Sequence, residues 1–278
     1  MKHMNKLIAV AALAASLGSA HAAGTTLANG DFAFTGLNVN TTVGGWSFVA
    51  FVDIAAGTTI YFTDTNVLQS TPSAGVFSTT AETFWSWTAS ADVAAGTSVA
   101  LLGTGVNGQY AAKSGVAGGV ANGTVTNLNG GGSNISSGGD ILYAYQAASY
   151  ATNYQASAIT FLGAISNRTT PYATSDNPFT ATGLSGIQVR EFRGSADTRY
   201  TQFTAQITTT DTPYASLDEL KAALAVEGNW TTSAASTSAP IVSDVLAVTA
   251  VPEPESYALL LAGLAVVGGV ARRRSLQR

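Results

Sequence analysis

The sequence contains no cysteine, and its only two histidines, His3 and His21, fall within the first 22 of 278 residues. Charge is also scarce, with Asp, Glu, Lys and Arg making up 10% of the chain. Without cysteine there is no disulfide framework, no thiolate nucleophile and no Cys-based metal site. Residues 23–250 also lack histidine, which removes Ser-His-Asp triads and imidazole-ligated zinc from the chemistry open to them. That stretch carries six basic residues against fourteen acidic ones, a net charge of −8. A nucleic-acid footprint needs clustered positive charge, so nucleic acid is not an expected partner. The glycine-rich segment GGGSNISSGGD lacks the regular GGxGxD spacing of calcium-binding repeats, and no cofactor is expected.

What is present is small and apolar: 29 glycines with abundant Thr, Ser and Ala. This composition favours short strands and turns, and predicts an all-β body. The N-terminus places Lys2 and Lys6 before an apolar stretch, Leu7 to Leu17, and an Ala20-His21-Ala22 site of the small-x-small kind. That order reads as a secretory signal peptide over 1–22, cut after Ala22 so that the mature chain starts at Ala23. The secretion translocon and signal peptidase are its expected partners.

Residues 23–230 are read as one β-sandwich domain. GWSFVAFVDI, Gly45 to Ile54, is nearly continuous apolar and aromatic, as in a strand buried on both faces. Thr58 to Asp64 follows a Gly57 turn. In Thr83 to Ala89, Trp85 and Trp87 share one face with period two, predicting a half-buried strand. VDIAAGTTIYF at 52–62 is echoed by ADVAAGTSVALL at 91–102, and the pair reads as equivalent corners of one sandwich. The Gly/Asn/Ser-rich stretch 104–139 predicts a long surface loop or irregular edge strands. Strands resume at 140–146, 159–165, 187–192 and 200–207. One short helix is expected at Ser216 to Ala225, with a Ser216/Glu219 capping box, Leu217, Leu220 and Leu224 on one face, Gly228 as the stop and Trp230 beside it. Residues 231–250 have the composition of a Ser/Thr/Ala-rich linker, although 240–251 would also suit an edge strand.

The final segment, 251–278, places Pro252-Glu253-Pro254 before an apolar run of about fifteen residues, Tyr257 to Ala271, and three consecutive arginines, Arg272, Arg273 and Arg274. A spanning helix takes about 20 apolar residues, so a transmembrane segment at 256–271 would be marginal, and its glycines weaken it further. Arginines at its end suit a cytoplasmic flank. The triplet, apolar run and basic cluster closely resemble the PEP-CTERM sorting signal of exported Gram-negative proteins. The resemblance implies recognition by an exosortase, a membrane processing enzyme, with the tail removed near Pro252 to Pro254. It further implies a transient inner-membrane anchor, then the cell surface or an extracellular matrix, in company with exopolysaccharide and biofilm production.

The body carries a second resemblance. DFAFTG, SFVAFVDIAAGTTIYFTD, FWSWTASADVAAGTSVALL, SGGDILYAYQ and EGNWTTS recur in this order in secreted bacterial proteins whose domain is similar to the lamin-tail type of immunoglobulin-like sandwich. It implies a fold and no reaction.

Three kinds of candidate site remain. Asp31, Asp53, Asp64, Asp92 and Asp140 sit at strand ends, where several of them would converge on a calcium ion, or each would organise a turn through its own hydrogen bonds. Glu82, Glu191 and Asp197 are the acids available for a hydrolase of surface polymers, which needs a carboxylate pair. The stretch Arg190 to Arg193 otherwise reads as surface ion pairing on a strand. Trp46, Trp85, Trp87 and Trp230 would be either core residues or stacking platforms for extracellular polysaccharide. Sequons at Asn40, Asn122, Asn134, Asn167 and Asn229 are expected to have no glycosylation role. The leading expectation is a noncatalytic surface or matrix protein, with a carbohydrate-binding module, calcium-dependent or not, as its first rival.

Overall fold

The computed structural model describes residues 24–233, apart from 41–43, 68–76, 78–81, 115–118, 131–134, 137–138, 149–158, 168–178, 180–181, 192–199 and 204–213. The signal peptide, the linker from 234 onward and the C-terminal segment therefore lie outside the described residues.

Among the described residues thirteen strands form two sheets. The first comprises β1 (Phe32–Asn38), β2 (Gly45–Ala50), β5 (Ser98–Gly103), β6 (Tyr110–Ser114), β7 (Val120–Ala121), β12 (Tyr200–Phe203) and β13 (Trp230–Ser233), in the order β13-β12-β1-β2-β5-β6-β7. The second comprises β3 (Thr59–Thr63), β4 (Phe84–Thr88), β8 (Thr124–Asn127), β9 (Ile141–Ala147), β10 (Ile159–Ser166) and β11 (Val189–Glu191), in the order β11-β10-β9-β3-β4-β8. All pairings are antiparallel except β10 with β11. Helix α1 (Leu217–Ala225) is the single α-helix among the described residues. The expected all-β sandwich with one short helix is what the described residues form.

Between the sheets lies an aromatic core. Trp46 contacts Phe62, Trp85 and Tyr110 at centroid distances of 5.3, 5.3 and 4.6 Å, and Phe48 packs on Phe32, Phe62 and Trp87. The indole N–H groups of Trp85 and Trp87 donate to the carbonyls of Gly108 and Asn122, so both rings are buried with their polar edges bonded. A second apolar cluster covers the opposite face of the second sheet, where Phe84, Tyr143, Tyr145 and Phe161 meet Val67, Phe77, Phe179 and Leu184. Strand β4 is thus buried on both faces, where a half-buried strand was expected from its Trp85/Trp87 periodicity. The residues that cover it come from irregular segments that show no periodicity of their own.

Of the two forms expected for the glycine-rich region, strands prevail: it supplies β6 and the edge strand β7 to the first sheet and the edge strand β8 to the second. The switch between sheets occurs at Asn122-Gly123. The buried Asn122 Oδ1 accepts from the backbone N–H groups of Ser90 and Ala91, and its Nδ2 donates to Ser114 Oγ at 3.1 Å. Gly123 has φ +89°, and a Cβ there would fall 2.2 Å from the Thr88 carbonyl, so only glycine fits.

Helix α1 starts as expected: the Glu219 N–H donates to Ser216 Oγ at 3.2 Å. The reciprocal half of the box is displaced by one residue, with Glu219 Oε2 accepting from Ala215 N. The helix ends at Ala225 rather than at Gly228, because Val226 leaves the helical conformation and its N–H bonds to Ala223 O. Leu220 and Leu224 are buried, and Trp230 donates to Leu224 O, holding the helix beside β13.

Candidate functional site

The pairings place the five aspartates at two opposite ends of the sandwich. One is the crossover end, where the chain passes between sheets after β2 and again after β4. There the two AAGT segments form reciprocal corners, as their likeness suggests. Ile54 and Val93 exchange backbone hydrogen bonds of 2.9 and 2.8 Å. Asp53 Oδ1 accepts from Ala95 N, and Asp92 Oδ1 accepts from Ala56 N, both at 2.8 Å, so each corner is held by the aspartate of the other. Asp31 similarly accepts from Ala28 N. These three are turn organisers.

At the other end stand Asp64 after β3, Glu82 before β4 and Asp140 before β9. Asp64 is 2% exposed, and its Oδ1 accepts from Thr83 N at 2.8 Å. Burial, then the charges of Asp140 and Glu82, push its pKa up to about 8. Burial and Asp140 push Glu82 up to about 7. Tyr110 is raised by burial and by Asp64. Convergence of all five aspartates on one calcium ion is therefore ruled out by position, and among the described residues no group of three or more such side chains is placed to hold a metal ion.

Of the hydrolytic acids considered, the two described ones, Glu82 and Glu191, are not brought together. Glu191 lies on β11, four strand intervals from β4 in the sheet, about 19 Å at 4.8 Å per strand. A glycosidase pair stands roughly 5–10 Å apart. Asp197 lies outside the described residues. Arg190 crosses toward the first sheet and stacks over Trp230 at 4.7 Å, with burial lowering its pKa and Glu227 favouring its charge. The expected surface ion pairing of Arg190 gives way to this contact, because the edge of β11 faces the edge of β13.

The tryptophan platforms are likewise excluded: Trp46, Trp85 and Trp87 are fully buried and Trp230 is 8% exposed. Asn122 and Asn167 of the sequons are also buried and bonded through their side chains. Asn134 lies outside the described residues.

The structure adds a feature that sequence reasoning missed. At the crossover end a cleft of ≈ 410 Å³ is lined by residues 24–26, 57–59 and 146–148 and by Thr160. Thr25 N donates to Thr58 Oγ1 at 2.7 Å, and Thr25 Oγ1 donates to Asp53 O. Gln146 accepts from Leu27 N and donates to the carbonyls of Thr25 and Thr59. A Cβ on Gly24 would fall 2.8 Å from the Thr58 backbone, so glycine permits this close approach. A signal was available, since Ala22-Ala23-Gly24-Thr25-Thr26 is a third copy of the AAGT segment. It straddles the expected signal-peptide boundary, which divides it after Ala22.

The C-terminus is the part that comparison with known proteins identifies. Residues 250–275 match the PEP-CTERM protein-sorting motif. The motif implies an exported protein processed by an exosortase, a membrane enzyme, with membrane-associated sorting of its C-terminus. The match covers Pro252, Glu253 and Pro254 as well as Arg272, Arg273 and Arg274. The side chains of these six residues, the apolar segment 256–271 and the Ala20, Ala22 and Ala23 cleavage site all lie outside the described residues. Among the described residues no helix is long and apolar enough to cross a membrane. None of the curated proteins and none of the solved structures compared with the chain matches it.

Proposed function

We propose that the chain is a noncatalytic protein of the cell surface or extracellular matrix, associated with exopolysaccharide. It is held transiently in the inner membrane of a Gram-negative bacterium by 256–271, with Arg272, Arg273 and Arg274 on the cytoplasmic side, and cut at Pro252 to Pro254. The single observation carrying this reading is the sorting motif at 250–275. Residues 23–250 hold no histidine and no cysteine, and the aspartates of the crossover end serve as turn staples, both of which support a role in presentation rather than catalysis. Signal peptidase would free Ala23, and the 18 residues from 234 to 251 would let the sandwich stand clear of the bilayer, by at most about 60 Å if fully extended. The sandwich is read as lamin-tail-like on its strand-corner-strand segments.

Intact-mass analysis of the protein from its native host, with and without the processing enzyme, tests this. The expected mass is that of a chain starting at Ala23 and ending near Pro252 to Pro254, restored to a longer form when the enzyme is absent. A wild-type chain ending at Arg278 would overturn the processing step.

A further inference from the structure

We propose that the crossover-end cleft binds the terminus of an uncharged polysaccharide, whose following residues lie across the hydroxyl rows of β3, β4 and β8. The proposal rests on the reading of the chain as an exported matrix protein and gives that protein a ligand class. The volume, ≈ 410 Å³, falls in the range of small-ligand sites, about 300–1,000 Å³. The lining consists of glycine, alanine, threonine and Gln146, with no charged side chain and no large apolar one. Such a lining offers nothing to an anion, a cation or a lipid chain, and suits a neutral molecule rich in hydroxyl groups.

The walls are set in advance. Gln146, Thr25 and Thr58 spend their hydrogen bonds on one another's segments, fixing the shape of the cleft before any ligand enters. Thr26 and the exposed Thr160 complete the lining and present hydroxyl groups that both donate and accept. From Thr59 the polar surface continues over the second sheet. The register aligns Thr59, Thr88 and Thr124 in one cross-strand row and Tyr61, Ser86 and Thr126 in the next, where Ser86 is buried and Tyr61 and Thr126 supply the accessible surface. Thr59 and Thr88 hydroxyls meet at 2.9 Å, while Thr124 and Thr126 are exposed. The rows carry no charge, and Tyr61 adds a half-buried ring stacked on Tyr145. The net charge of −8 over 23–250 works against acidic polysaccharides.

Position favours access. Tyr200 pairs with both Asn38 and Ser233, which puts the last described residue at the end opposite the cleft. The described chain therefore ends on the side away from the cleft.

The test uses the exported protein as its host processes it, titrated calorimetrically with linear hexasaccharides of glucose and of mannose, with oligogalacturonate as the charged control. Binding of a neutral hexasaccharide, weakened at least about tenfold by Thr160→Glu and about threefold by Thr124→Glu, with an unchanged melting temperature, is the expected result. Thr26→Glu replaces Thr160→Glu should that variant fail to fold. Neutral binding untouched by the cleft variants would overturn the site, and preference for oligogalacturonate or binding of neither neutral probe would overturn the ligand class. The mass and location of the same preparation report on export separately, so failure of the ligand and failure of the sorting reading are distinguishable.

Discussion

At the crossover end, Asp53 and Asp92 each accept a backbone N–H from the other's corner; at the opposite end, burial and then the charges of neighbouring acids raise the pKa values of Asp64 and Glu82. The same chemical group performs opposite work. Where a carboxylate meets amide donors at a turn, its charge is an asset to the fold. Where burial strips a carboxylate of water and other acids add their charge, ionisation becomes a cost. The first arrangement binds two sheets together, and the second makes the far end sensitive to acidity.

The largest effect that would sharpen this contrast is expected at the sheet switch beside the corners. Asn122→Ala removes the buried side chain that accepts from the Ser90 and Ala91 amides and donates to Ser114 Oγ and should destabilise the body by about 2 kcal/mol, measured by urea denaturation. A loss within experimental error would show that the crossover end does not depend on its polar staples.

The next effect has the opposite sign. The folded state keeps the Asp64 proton up to about pH 8, whereas an unfolded aspartate releases it near 3.8. Stability is therefore fully present below that lower value and falls as pH rises through 8. Asp64→Asn keeps an acceptor for Thr83 N and removes the charge. It should stabilise the protein by on the order of 2 kcal/mol above pH 8 and leave it unchanged at pH 4. Thermal melts at both pH values check this, and a variant destabilised at both would remove the distinction between the two ends.

The smallest effect tests the reciprocity of the corners. Asp53→Ala and Asp92→Ala should each cost about 1 kcal/mol. The double variant should lose less than their sum, because either one already loosens the shared Ile54–Val93 contact. Strict additivity in the denaturation cycle would mean that the corners act independently.

Much of the fold was legible because nearly continuous apolar runs mark β2, β9 and β10 and a period-two pattern marks β4, and because Ser216, Leu220 and Leu224 mark a helix in few residues. The covering of the second sheet was not legible. Val67, Phe77, Phe179 and Leu184 fall in stretches of sequence without apolar rhythm, and only the folded chain shows that they share a destination. The parallel pairing of β11 was hidden for a related reason, since register with β10 is a long-range choice that three residues cannot announce. The sorting motif was the easiest feature to read, being local and ordered. The cleft was the hardest, because threonine and glycine are common throughout this chain and acquire meaning only where Gly24 and Gly57 bring two Thr-Thr pairs together.

The placement of Gly24 and Ser233 at opposite ends has a mechanical consequence. A pull between something gripped at the cleft and a tether beyond Ser233 runs along the strands, at right angles to the antiparallel hydrogen bonds that join them. The ladder linking β13, β12 and β1 is then loaded in shear, with its bonds sharing the force at once instead of opening one after another from an end. A domain anchored and gripped in this way is a tension-bearing link, whose lifetime under flow is set by how fast those three strands slide.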